Sequence, residues 1–310
     1  MEIIDTISGD PPIHKSSLEG VFTFFRPQKS LPLIFDSPHS GIMKPADFHH
    51  ACPDSDIMRT ADMHVDELFK DVPNYGAAFL QAEFPRAYID LNRKIDDIDP
   101  ETYIGEWPVG KEGYETPNPT ERSYAGIGLI RRLIRPGTAL YKAPLKVSDI
   151  HHRIQNYYKP YHQVLEGFIS DAHYHFGQVW HINCHSMPSS SVAPASDRSN
   201  PQKQVDFVLG DRNGTTCPPD MTRMIKQFFD SIGYNIAIND PYKGVELVER
   251  YSEPAKGMYS LQIEINKALY MDEETGLRNK NFVKLKDDLN AFANFFSQYV
   301  DQNLMNIAAD

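Results

Sequence analysis

The stretch VWHINC, from Val179 to Cys184, is rich in large apolar residues and leads directly into the histidine-bearing turn HSMPSS. A short apolar run bounded by turn residues is typical of a strand buried on both faces of a sheet. Comparable runs occur at Leu31 to Phe35, Ala77 to Leu80, Ala87 to Leu91, Val205 to Leu209, Asn235 to Ile238 and Tyr259 to Ile265.

Helical periodicity lies between these runs. It covers Asp62 to Phe69, Ser148 to Phe176, Pro219 to Ile232 and Phe282 to Val300. Because strands and helices alternate, the sequence predicts an α/β fold whose mixed, mostly parallel sheet carries helices on both faces. No repeat or low-complexity segment divides the chain, so we expect one domain over residues 1–310.

The charge balance limits the possible partners. The chain has 310 residues, with 31 Lys and Arg against 42 Asp and Glu, which gives a formal net charge of −11. Such a surface repels nucleic acid and anionic membranes, so we expect neither as a partner. An anionic substrate would therefore need local basic residues to bind it.

The cysteines and the N-terminus indicate a compartment. Cys52, Cys184 and Cys217 are odd in number, widely spaced and without a CxxC pair, which argues against a disulfide framework or a cysteine-only zinc site. The acidic start MEIIDTISGDPP lacks the pattern of a signal peptide, and no run approaches 18 apolar residues. We expect a cytoplasmic protein.

Two segments show little periodicity. Asp96 to Lys146 is rich in Gly, Pro, Tyr and charge, and a segment of this length is usually a lid or an interface element, so we expect an excursion that helps to close a site. Met187 to Gln202 follows a candidate site strand. It is either a second cover for that site or a disordered loop.

Two histidines follow buried strands and are candidate metal ligands. His39 lies in LIFDSPHSG and His185 in WHINCHSMPSS, and ligands of α/β proteins bind where strands end. A catalytic zinc site needs a third protein ligand and one open position. Asp62 offers a carboxylate, on a predicted helical face that it shares with Asp66 but not with His64. The alternative for these three residues is an ordinary helix start with acidic residues in its first turn.

The run FPRAYIDLNR predicts a short strand with Arg86 and Arg93 at its ends and Asp90 and Asn92 between them. The arginine fork donates two parallel hydrogen bonds, which suits a carboxylate. The alternative is a pair of ordinary surface arginines.

The run YSLQIEIN alternates, so that Leu261, Ile263 and Ile265 share one face while Gln262 and Glu264 share the other. An acid in the middle of an apolar strand indicates either a catalytic carboxylate or a solvent-facing residue on an edge strand.

Taken in order, the motifs SPHSG, DxxxDELF, RxxxDLNR, CHSMPS, LGDRNGTTC, PYKGVELVERY and LQIEIN resemble the N-formylglutamate amidohydrolase family over Leu31 to Glu273. The resemblance implies a three-layer α/β/α sandwich like that of zinc carboxypeptidases. It also implies a hydrolase that converts N-formyl-L-glutamate to glutamate and formate, a late step of histidine breakdown.

The resemblance implies one divalent metal ion, zinc, held by His39, His185 and Asp62. The sequence departs here from the related carboxypeptidases and aspartoacylase, which take two ligands from a His-x-x-Glu motif. Ile42 stands where that glutamate would be. The third ligand must therefore come from another segment.

By the same resemblance, Asn92 and Arg93 bind a substrate carboxylate, Arg86 stabilises the oxyanion and Glu264 is the general base. The substrate class implied is a small acidic N-acyl amino acid.

Three points stay open from the sequence. Lys243 or Arg250 is a candidate for a second carboxylate, with surface charge as the alternative for each. The enzyme alternatives are another zinc acylase or a carboxypeptidase-like hydrolase. A non-catalytic binding protein on the same fold is the alternative from a different class.

Overall fold

Twelve strands occur in the part of the chain that the computed structural model describes, residues 13–192 and 204–307. In chain order they are β1 (Ile13–Leu18), β2 (Phe22–Pro27), β3 (Leu33–Ser37), β4 (Ala78–Ala82), β5 (Tyr103–Ile104), β6 (Leu133–Arg135), β7 (Thr138–Ala139), β8 (Leu145–Lys146), β9 (Val179–Met187), β10 (Phe207–Gly210), β11 (Ile236–Ile238) and β12 (Met258–Asn266).

Eight of these strands form one sheet, in the order β1-β2-β4-β3-β9-β12-β10-β11. The pairs β3–β4, β3–β9, β9–β12 and β10–β11 are parallel, and the remaining three pairs are antiparallel. The prediction of a mixed, mostly parallel sheet is therefore confirmed. The antiparallel hairpin β1–β2 at its edge was not predicted.

The helices are α1 (Asp54–Thr60), α2 (Val65–Phe69), α3 (Glu121–Tyr124), α4 (Val147–Arg153), α5 (Lys159–Phe176), α6 (Pro219–Ser231), α7 (Glu246–Arg250) and α8 (Phe282–Ile307). Side chains of α2, α6 and α8 form one apolar cluster with one face of the sheet. Side chains of α4, α5 and α7 form a second cluster against the other face. The sheet is thus the middle of three layers, as expected.

Side-chain alternation on the central strand β9 separates apolar from polar chemistry. Trp180, Ile182 and Cys184 belong to the cluster under α2, α6 and α8. Successive strand residues point to opposite faces, so the intervening His181, Asn183 and His185 point toward the α5 layer. The same alternation on β12 separates the apolar Leu261, Ile263 and Ile265 from Gln262 and Glu264, as predicted.

Three local predictions were wrong. Ala87 to Leu91 is not a strand, because its backbone is satisfied by turn bonds, among them Tyr88 N to Pro85 O at 2.9 Å. His185 does not follow a strand that ends at Cys184, since β9 pairs with β12 as far as Met187.

Asp62 does not lie on a helix or share a helical face with Asp66. His64 has a positive φ of 66°, which is not a helical conformation, and α2 begins only after it, at Val65. Asp62 is instead a loop residue whose backbone N–H donates to the His39 carbonyl at 2.9 Å.

The segment from Asp96 to Lys146 carries α3 and two small sheets, β5–β8 and β6–β7. Of the loop from Met187 to Gln202, residues 193–202 lie outside the described residues. Cys52, Cys184 and Cys217 are buried free thiols. Among the helices described, none combines the length and the apolar character needed to cross a membrane.

Candidate active site

His39, Asp62 and His185 meet in a buried cluster beside the carboxyl ends of β3 and β9. One ligand atom from each lies within 4.8 Å of the other two. Asp62 Oδ2 lies 2.9 Å from His185 Nδ1 and 3.5 Å from His39 Nδ1. Each of the three residues is at most 2% exposed.

The other nitrogen of each imidazole is already bonded. His39 Nε2 lies 2.8 Å from Asp90 Oδ1, and His185 Nε2 lies 2.7 Å from Asn183 Oδ1. Because both partners are acceptors, Nε2 carries the proton in each ring and leaves Nδ1 free to bind. His39 Nδ1 is buried without a hydrogen-bond partner. Two Nδ1 lone pairs and one carboxylate thus converge, a donor set that suits a divalent metal ion.

The electrostatics favour the protonation states that a metal ion requires. Burial alone would raise the pKa of Asp62, but the close contacts with His185 and His39 lower it. Burial lowers the pKa of His185 below its usual range. The group therefore combines an ionised carboxylate with a neutral imidazole at His185.

Asp90 connects the cluster to Arg86. Its Oδ2 accepts hydrogen bonds from Arg86 Nη2 at 2.8 Å and Nε at 3.2 Å, while Oδ1 contacts His39. Burial would raise the pKa of Asp90, yet the charge of Arg86 and the contact with His39 hold it well below its usual range. No role was predicted for Asp90 from the sequence, although an acidic residue among the apolar residues of RAYIDL indicates a buried carboxylate.

Asn92 and Arg93 are both buried. Asn92 Oδ1 accepts from Leu247 N at 2.9 Å. The Arg93 guanidinium donates Nη1 to the Asn92 carbonyl and Nε to the Ile127 carbonyl. These bonds fix both side chains and leave further arginine N–H donors for a ligand.

Glu264 lies opposite His185 in the parallel pairing of β12 with β9. Its Oε1 accepts a 2.9 Å hydrogen bond from Gln262 Nε2. Burial and the Asp62 carboxylate raise the pKa of Glu264 well above its usual range. The alternative of a solvent-facing residue on an edge strand is wrong, because β12 lies between β9 and β10 and Glu264 is buried.

A cavity of about 400 Å³ joins these groups, a size that suits a small-molecule site. All seven residues proposed from the sequence line it, namely His39, Asp62, Arg86, Asn92, Arg93, His185 and Glu264. Arg122 and Arg131, from the excursion, and Lys267, which follows β12, also line it and were not predicted.

Of the four other candidates, only Lys243 lies in the cavity wall. Lys243 lines the cavity, whereas Arg250 does not and instead faces Glu246 at 3.8 Å. His64 does not line it and bonds Glu67 and the Gly276 carbonyl, and Asp66 does not line it either.

Comparison with known proteins shows which family this chain matches and which proteins are similar to it. A family model described as N-formylglutamate amidohydrolase matches residues 31–271. The crystal structure of N-formylglutamate amidohydrolase from Ralstonia eutropha JMP134 superposes with a TM-score of 0.85 at 41% identity, covering 92% of this chain and 99% of that one.

Two N-formylglutamate deformylases are similar in sequence. The Pseudomonas putida protein is 26% identical over 250 residues, which cover 79% of this chain and 84% of that protein. The Pseudomonas aeruginosa protein is 25% identical over 248 residues, with the same two coverages.

Proposed function

Since the chain belongs to the N-formylglutamate amidohydrolase family, a family of hydrolases of linear amide bonds, we propose that it hydrolyses N-formyl-L-glutamate. Water cleaves the formyl C–N bond, and the products are L-glutamate and formate. The family's reaction is a late step of histidine breakdown, so the proposal extends to that role.

One arrangement supports this proposal above the others. The buried His39, Asp62 and His185 group and the Glu264 carboxylate line the same cavity, whose wall is rich in arginine. A group able to hold a metal ion, an acid with a raised pKa and cationic side chains are what hydrolysis of an anionic amide needs.

The proposal includes one divalent metal ion, and zinc suits a set of two imidazoles and one carboxylate with an open fourth position. His39 and His185 would bind it through Nδ1, and Asp62 through its carboxylate. When bound, the ion would act as a Lewis acid and would make water a better nucleophile at neutral pH. Asp90 and Asn183 hold the two rings in the tautomer that binding requires.

The side chains of the cavity perform the remaining tasks. Glu264 takes a proton from the attacking water and returns it to the departing amine nitrogen. Arg86 places positive charge near the developing oxyanion, while Asp90 holds its guanidinium in position. Asn92 and Arg93 hold a substrate carboxylate and so orient the amide.

Formate release from N-formyl-L-glutamate tests the activity directly. Acetate release from N-acetyl-L-aspartate and N-acetyl-L-glutamate, measured in parallel, separates this activity from that of other acylases. We expect kcat/KM to be highest for the formyl substrate. Faster release of acetate would reassign the acyl group, and the absence of turnover on all three by the metal-loaded protein would favour the non-catalytic alternative.

A further inference from the structure

The cavity wall is strongly cationic, but most of its positive side chains already have partners. Arg86 pairs with Asp90, Arg212 pairs with Glu249 at 2.9 Å, and Lys267 Nζ donates to the Ala61 carbonyl at 2.7 Å. Arg93 donates to two carbonyls. Three cations of the cavity wall, Arg122, Arg131 and Lys243, form no side-chain hydrogen bond or ion pair with any described residue, and of these only Arg131 is not exposed to solvent.

The environment of the Arg131 guanidinium is energetically unfavourable. Its Nε is shielded from solvent and has no acceptor. Burial and the neighbouring charges of Arg86 and Arg93 lower the pKa of Arg131 to about 9, so it remains positive at neutral pH. A guanidinium N–H that has lost water without gaining an acceptor is unfavourable unless a ligand supplies one.

Two other arginines with a buried, unbonded Nε show that this situation is particular to Arg131. Arg132 pairs with Asp99 at 3.3 Å and Glu101 at 3.0 Å. Arg153 donates Nη1 to Tyr88 O and to Tyr141 Oη. In both cases the guanidinium charge has acceptors within the protein.

The backbone places Arg131 beside Arg93. Ile127 forms an isolated antiparallel bridge with Arg131, and the Ile127 carbonyl accepts the Nε–H of Arg93 at 3.2 Å. Both arginines line the cavity. The excursion thus places beside Arg93 a guanidinium that has no partner in the described part of the chain.

We propose that Arg131 is a specificity-determining residue that binds one of the two carboxylates of the substrate, while Arg93 binds the other. This inference rests on the proposed function and deepens it, because it makes the site selective for dicarboxylic N-acyl amino acids. The planar fork of Arg131 can donate two parallel hydrogen bonds to a carboxylate, which would satisfy its unpaired donors.

Kinetics of the metal-loaded Arg131→Gln enzyme test the proposal. The substrates are N-formyl-L-glutamate, its side-chain amide N-formyl-L-glutamine, and its α-amide. We expect kcat/KM for the dicarboxylate to fall about 10- to 100-fold, as for a lost hydrogen bond to a charged group. For the amide that lacks the partner carboxylate, the loss should be less than about threefold, since nothing is left for Arg131 to pair with.

Matched variants control for structural effects. Arg132→Gln changes the neighbouring residue, whose charge is paired away from the cavity, and should leave all three values near wild type. Arg131→Lys should recover part of the loss because it keeps the charge without the fork. An equal loss by Arg131→Gln on all three substrates would overturn the proposal.

A binding measurement separates this inference from the proposed function. Calorimetry of L-glutamate with wild type and Arg131→Gln reports carboxylate binding without turnover. If wild type releases no formate, the proposed function fails, yet weaker binding of L-glutamate by Arg131→Gln would still support a carboxylate site. Equal binding by the two proteins would overturn it.

Discussion

Asp36 accepts a hydrogen bond of 2.7 Å from the side-chain amide of Asn183. Burial alone would raise the pKa of Asp36, but the hydrogen bonds from His181 and Asn183 lower it, so Asp36 is an ionised acceptor. Asn183 must therefore direct Nδ2 toward Asp36 and Oδ1 toward His185. The orientation of one amide, set by a carboxylate outside the cavity, fixes the tautomer of a proposed metal ligand.

Replacing Asn183 with Ala should weaken metal binding. The His185 Nε2–H would lose its acceptor, and loss of such a support costs about 10- to 100-fold in metal affinity. Competition with a chelating dye measures the change. Cys184→Ala, on the same strand but the opposite face, should bind metal as wild type does. Unchanged affinity in Asn183→Ala would mean that Asp62 alone positions His185.

Removing a proposed ligand should remove the ion. His185→Ala should contain little bound metal after dialysis, because only two protein ligands remain. His64→Ala is the matched control, since His64 bonds Glu67 outside the cavity. Elemental analysis of both proteins gives the result. Full activity of the wild type after exhaustive chelation, with no metal detected, would rule out the metal-dependent mechanism.

Glu264→Gln should bind substrate and metal but turn over slowly. The amide keeps the shape of the side chain and loses the basic carboxylate, so kcat should fall roughly 10² to 10⁴-fold. Glu253→Gln, which changes an exposed glutamate next to the start of β12, controls for the strand. Loss of metal from Glu264→Gln would instead identify the glutamate as a ligand.

His162 should make the fold sensitive to acid. Burial and the charge of Arg250 lower its pKa from 6.5 to about 3. Below pH 6.5 His162 becomes protonated in the unfolded chain but stays neutral in the folded chain. The contribution of neutral His162 to the free energy of unfolding is therefore complete above pH 6.5 and is lost as the pH falls toward 3. By about pH 5 the loss should reach about 2 kcal/mol.

Urea unfolding at neutral pH and at about pH 5 measures this loss. His162→Gln cannot titrate, so its free energy of unfolding should fall less between the two conditions than that of wild type. Equal falls in the two proteins would assign the acid sensitivity to other groups that titrate in the unfolded chain between these pH values, such as the buried His185.

The sequence predicted the central strands because their apolar runs must be buried, and Glu264 stood out because it interrupts such a run. The edge hairpin gave no such signal, since IHKSSL and FTFFRP mix apolar and polar residues without a clear period. Ala87 to Leu91 misled for the opposite reason. Its apolar side chains are buried although the backbone forms turns. An apolar run of this length has the same pattern in a turn as in a short strand, so periodicity cannot distinguish the two.

The supporting polar residues were harder to predict. Asn183 lies two positions before His185 and so shares its strand face, a relation that period-two reasoning could have found. Arg131 could not be found in this way, because its proposed role depends on the lack of a partner among the described residues. Only the folded structure shows which of two neighbouring arginines, here Arg131 and Arg132, is paired.

The proposed metal-binding group has no local chelating motif. Ile42, at the position of a His-x-x-Glu glutamate, is half exposed, and the carboxylate comes from Asp62, which lies 123 residues before His185 in the chain. An unfolded chain therefore presents no preassembled chelate, and tight ion binding requires the packed sheet. Occupancy of the site is thermodynamically linked to global unfolding, so the melting temperature should rise with free metal concentration.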